Sequence, residues 1–160
     1  MRFTLIKDLK QEQSMKSLLR FLLVFIFLYI VANILVKFST LGLSIESVHL
    51  TLFGSEEDFI DPLSIASFLE LLHTEIFFIM MVSFVLSAVF IRIATKNKVN
   101  RLLVNFLMLF GLGTLTTLGL SYFINDLMVI VYLSCFYTWN TLLVYMTLYS
   151  LWRLSFAKSL

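Results

Sequence analysis

The chain has little of what a soluble enzyme is built from. Among 160 residues there is one cysteine (Cys135), one proline (Pro62) and two histidines, and only 14% of the residues are charged. Each shortage excludes something. A lone thiol cannot form an intrachain disulfide, and it rules out the thiol oxidoreductases that pass electrons between paired cysteines. A net charge of +2 gives no basic surface for a nucleic-acid partner. The low charge, against roughly a quarter of residues in an average globular protein, leaves too few polar groups to coat a water-soluble core.

What is abundant is apolar: 60% hydrophobic residues and 16% aromatic. Lipid is the solvent that suits this composition. About 20 apolar helical residues cross a bilayer core about 30 Å thick, and four stretches qualify: about 21–41, 76–95 as the apolar part of a longer helix, 102–123 and 127–151. The links 96–101 and 124–126 are short enough to make the joined helices antiparallel neighbours. The fold expected is an all-α integral membrane protein, an antiparallel bundle of four transmembrane helices with a small helical cap. A basic segment, 1–20, precedes a single membrane domain, 21–160. The basic start followed by an apolar run resembles a secretory signal, but the run is long and no small-x-small site follows it, so it reads as an uncleaved first helix.

Charge sorts by side. Arg2, Lys7, Lys10, Lys16, Arg20, Arg92, Lys96, Lys98, Arg101, Arg153 and Lys158 fall on one side, which leaves only Lys37 on the other. Glu46, Glu56, Glu57, Asp58, Asp61, Glu70, Glu75 and Asp126 all fall on the side of Lys37. The positive-inside rule then places both termini in the cytoplasm, in a bacterial inner membrane.

The outer segment, 39–75, carries its own signals. Ser44 caps a short helix that Gly54 stops, with Ile45, Val48 and Leu52 as its apolar stripe. Asp61-Pro62 reads as a second helix start, and the helix from 62 to 95 would be about 51 Å long at 1.5 Å per residue. Its first turns therefore project past the membrane, with Ile65, Leu69, Leu72 and Ile76 needing cover from the short helix. Glu56-Glu57-Asp58 is either a solvated acidic loop or an attraction for a cation or a basic partner.

Few residues suggest chemistry. Glu70-x-x-His73 has the spacing of half a di-iron site, and Glu75 and His49 lie on the same side. These four are the candidate ligands for a haem or a transition metal. A complete di-iron site needs a second such motif and two more glutamates, and a di-haem core needs histidines on facing helices, so a site of this kind is the alternative and no cofactor is the first expectation. Lys37 is placed to snorkel outward, which leaves no charge deep in the bilayer and argues against ion-coupled transport or a channel.

Small and hydroxyl residues suggest packing instead. Gly113, Thr117 and Ser121 recur at steps of four, and Ser134, Thr138 and Thr141, with Tyr145, share one face of the last helix. Such faces hold membrane helices together, with a small-ligand pocket as the competing reading. Trp152 beside Arg153 marks the cytoplasmic boundary. The function expected is a non-enzymatic accessory subunit or oligomeric scaffold in the lipid bilayer, working as a homo-oligomer or within a larger membrane complex. The alternative is a redox subunit using His73, Glu70 and His49.

Overall fold

The computed structural model describes residues 13–95 and 97–156, in helices joined by turns and irregular segments, with one isolated β-bridge. Most of the basic N-terminal segment, together with Lys96 and Lys158, lies outside the described residues. Four helices are long and apolar enough to cross a membrane. They are α1 (Gln13–Thr40), α3 (Ile65–Ile93), α4 (Lys98–Phe123) and α5 (Met128–Phe156), and the short α2 (Ile45–Phe53) lies between the first two.

The bundle is organised around α5, which packs against every other helix and most extensively against α4. Its buried residues, among them Tyr132, Leu133, Phe136, Trp139, Leu143 and Met146, cover more than one stripe, as a central helix requires. The apolar interior divides into two clusters. The larger gathers Leu23 and Ile30 of α1, Leu86 and Phe90 of α3, Leu107 of α4, and Trp139 and Met146 of α5. The smaller caps the other end and joins Val48 and Leu52 of α2 to Phe68, Leu118, Tyr132 and Phe136. The bundle's outside stays apolar, with Phe21, Phe25, Leu35, Phe84 and Leu109 each more than half exposed. Lipid is as apolar as these side chains, so close packing rather than escape from water holds the helices together.

Sequence signals account for the ends of the helices. Ser44 caps α2 by accepting from the Ser47 N–H, while Ser47 bonds back to the Ser44 N–H at 3.0 Å. Gly42 ends α1 at φ 82°, with its N–H on the Lys37 carbonyl at 2.9 Å, a left-handed residue that favours glycine. Gly54 ends α2 at φ 74°, where a Cβ would come within 2.5 Å of the Ile60 carbonyl.

The start of α3 departs from expectation. The cap is Ser64, not Asp61, and Pro62 lies outside the helix. The reason lies in the partners of Leu63. Its N–H donates to the Thr51 carbonyl at 3.3 Å, and its own carbonyl accepts the Tyr122 hydroxyl at 2.8 Å. Helix through residues 62–64 would break both ties. The cap also differs in its cover. Ile65, Leu69 and Ile76 remain exposed, while Phe68 is fully buried and stacked on Tyr122 with ring centroids 4.0 Å apart. Among the helices, α2 seats mainly on α5 rather than on the projecting stripe of α3.

Candidate functional site

The charged groups of the bundle gather at its two ends. One end holds Lys16, Arg20, Arg92, Lys98, Arg101 and Arg153; the other holds the acidic residues and Lys37. At the acidic end, Lys37 does not reach outward. It sits in the last turn of α1 with a side chain 2% exposed, and its Nζ lies 3.0 Å from Oε1 of Glu75 on α3, itself 12% exposed. The ammonium has no hydrogen-bond partner among the described residues beyond this ion pair. This corrects the snorkelling expectation. A lysine stem directed along the apolar surface needs a free route to water, and here α3 closes that route and supplies a carboxylate instead.

The pair has two consequences. It ties α1 to α3, and breaking it would strand a charge in an apolar interior, at a cost of about 3–5 kcal/mol. Among the described residues it also removes the one lysine of its end from the surface. The exposed formal charges described there are Glu46, Glu56, Glu57, Asp58, Asp61, Glu70 and Asp126, all negative.

The segment that carries most of them is firmly held. The Tyr137 hydroxyl donates to the Leu43 carbonyl, and Tyr122 holds Leu63. Between these anchors, Ser55 and Ile60 close a turn through paired backbone hydrogen bonds of 2.9 and 3.0 Å. The Ser55 hydroxyl accepts from the Asp58 N–H and donates to its carboxylate. At the tip stands Phe59, 96% exposed and held at φ 53°, a left-handed conformation that a bulky residue seldom adopts. A groove of about 590 Å³ beside it is lined by Phe53, Gly54, Glu56, Ile60 and Pro62, among others.

The four candidate ligands take separate places. Glu75 is engaged by Lys37. His49 Nε2 lies 3.6 Å from Asp126 Oδ2, at the α4–α5 turn, with its ring against Phe53. Glu70 and His73 are exposed on α3. Among the described residues no three histidine, cysteine, aspartate or glutamate side chains gather closely enough to hold a metal ion.

The packing residues divide. Gly113 faces α5, where a Cβ would come within 3.1 Å of Cys135 Sγ. Ser121 is buried, and Thr117 is half-buried with its hydroxyl on the Gly113 carbonyl at 2.6 Å. On α5 the expected face is turned the other way. Ser134 and Thr141 are exposed, Thr138 is half-exposed, and all three hydroxyls donate to the carbonyl four residues back at 2.8 Å. Such back-bonding satisfies a hydroxyl in lipid without a second helix, so the polar stripe carries no demand for packing. The contact belongs instead to Phe136, Trp139 and Leu143, with the Trp139 indole N–H on the Ser83 hydroxyl at 3.1 Å.

Sequence reading did not find Lys37 with Glu75 as a pair, or Phe59. The available signals were a lone lysine on an otherwise acidic side, and an aromatic residue ending an acidic run. No curated protein and no solved structure matches the chain. The sequence model of the Aq_1264_TM family, described as a transmembrane helical domain, matches residues 42–159, from the end of α1 through α5. The chain, a four-span membrane protein, belongs to that family.

Proposed function

We propose that the protein is a non-enzymatic subunit of a membrane complex, which meets its partner at the acidic end of the bundle. In this reading both termini are cytoplasmic, the membrane is a bacterial inner membrane, and the acidic end faces outward. Phe59 carries the proposal: a phenylalanine almost wholly exposed, in a turn closed by its own backbone, among Glu56, Glu57, Asp58 and Asp61. Burying such a ring gains about 1.5–3 kcal/mol. The neighbouring carboxylates oppose its insertion into headgroups, so a protein surface is the better acceptor. With Lys37 cancelled by Glu75, the exposed formal charges of that face are all negative among the described residues, which favours a basic partner and fast, salt-sensitive association.

The test is the size of the assembly extracted from native membranes in mild detergent. The wild type should migrate in a complex larger than its own detergent-bound monomer. Reversing Glu56, Glu57 and Asp61 to lysine, which spares the Ser55–Asp58 bonds of the turn, should dissociate that complex without changing the amount of folded protein. A wild type that migrates as a monomer, or a complex indifferent to the reversal, contradicts the proposal.

A further inference from the structure

At the opposite, basic end, α3 and α4 separate around their connecting turn and leave a groove of about 400 Å³. Its walls differ in character. Phe90, Ile91, Ala94 and Val104 form an apolar side, with Ile91 59% exposed and Phe90 and Val104 buried behind it, and Lys98 and Arg101 line it with Asn97, Asn100 and Asn105. The two cations are three residues apart on the first turns of α4, so they lie on one face. Both are exposed, and among the described residues neither lies within ion-pairing distance of a carboxylate.

The turn itself is closed. The Asn97 side-chain oxygen accepts from the Asn100 N–H at 2.8 Å, and the Asn100 amide donates to the Thr95 carbonyl at 2.7 Å. The first bond caps α4, and the second ties its first turn to the segment that follows α3. The positive dipole end of α4 lies beside the two cations. An apolar wall at the ends of two membrane-spanning helices, beside two cations without a carboxylate partner among the described residues, fits an amphipathic anion. We infer that this groove binds an anionic glycerophospholipid, with its phosphate at Lys98 and Arg101 and an acyl chain along the exposed Ile91. The site lies at the far end from the acidic turn and does not depend on a partner there.

The experiment uses the full chain in detergent micelles loaded with equal amounts of phosphatidylglycerol and phosphatidylcholine, read by native mass spectrometry of the lipid adducts. Each cation near a lipid surface contributes roughly a fivefold preference for an anionic headgroup. Phosphatidylglycerol adducts should therefore exceed phosphatidylcholine adducts by about twenty-five-fold, the product of two such factors. The double variant Lys98→Gln/Arg101→Gln should remove most of this preference, and Lys16→Gln, a basic residue elsewhere at the same end, should lower it far less. Ile91→Ser, at a position already 59% exposed, should lower total adducts of both lipids while retaining the preference. Preference retained in the double variant, or lost equally in Lys16→Gln, overturns the inference. Displacement of phosphatidylglycerol by inorganic phosphate at comparable concentration also overturns it, since the groove would then be an anion site without use for its apolar wall.

Discussion

Removing one member of the Lys37–Glu75 pair should harm the protein more than removing both. The two side chains are 2% and 12% exposed and their charged atoms lie 3.0 Å apart. Lys37→Met strands the Glu75 carboxylate, and Glu75→Leu strands the more deeply buried ammonium, so the second should be the worse. Stranding a buried charge costs about 3–5 kcal/mol in a protein interior, whereas replacing a whole pair by apolar groups is close to neutral. In micelles the unfolded helices remain inserted and a freed charge finds other partners, which brings the expected single costs to the lower end, about 3 kcal/mol. The double variant Lys37→Met/Glu75→Leu should lie within about 1 kcal/mol of the wild type. Equilibrium unfolding in mixed micelles with rising dodecyl sulfate, followed by tryptophan fluorescence, measures all four corners of the cycle. Single costs that simply add in the double variant would refute the reasoning, because independent residues share no interaction.

Other expectations follow from single positions. Gly111→Leu should destabilise by about 1–3 kcal/mol through overpacking, because a Cβ there already comes within 3.1 Å of Ile79 and Trp139. Gly119→Ala meets nothing within 4 Å and should stabilise α4 by up to about 1 kcal/mol, as measured by the same unfolding assay. Thr147→Val should stabilise by about 1 kcal/mol, since the fully buried Thr147 hydroxyl has no partner among the described residues; a loss instead would mean that it has one. Tyr122→Phe keeps the stacking on Phe68 but loses the bond to the Leu63 carbonyl, so amide exchange should speed up in residues 55–64 and stay unchanged in α5. The purified protein should show neither a Soret band nor stoichiometric iron, zinc or copper; any of these would restore His49, His73, Glu70 and Glu75 as ligands.

The parts of the fold legible in the sequence were those encoded locally. Apolar runs of bilayer length gave the four spans, and Ser44 and Gly54 delimited α2, because a cap acts within a few residues of itself. Readings that depended on distant partners failed. Asp61-Pro62 is a sound helix start in isolation, but Leu63 bonds to Thr51 and Tyr122, and that cost the helix its first turn. The hydroxyl face of α5 looked like helix glue because composition cannot distinguish a hydroxyl bonded across helices from one bonded to its own backbone. Lys37 and Glu75 sit 38 positions apart on helices separated by the whole capping segment, and nothing near either residue announces the other. Phe59 was hidden by its neighbours: an acidic run reads as solvated, and the closed turn that displays the ring is a product of the Ser55–Ile60 pairing.

The docking proposal is tested most directly by the reactivity of a thiol at its centre. In a Cys135→Ser background, Glu57→Cys, which keeps the Phe59 ring, and Asn97→Cys would be treated with a membrane-impermeant maleimide in intact cells, in permeabilised cells and after purification. With the acidic end outward and covered by a partner, Glu57→Cys should react in intact cells, but several-fold more slowly than in the purified protein, where that position is exposed. Asn97→Cys should react only after permeabilisation. Equal rates for Glu57→Cys in the membrane and after purification would contradict a partner at that face, and labelling of both positions from the same side would contradict the orientation itself.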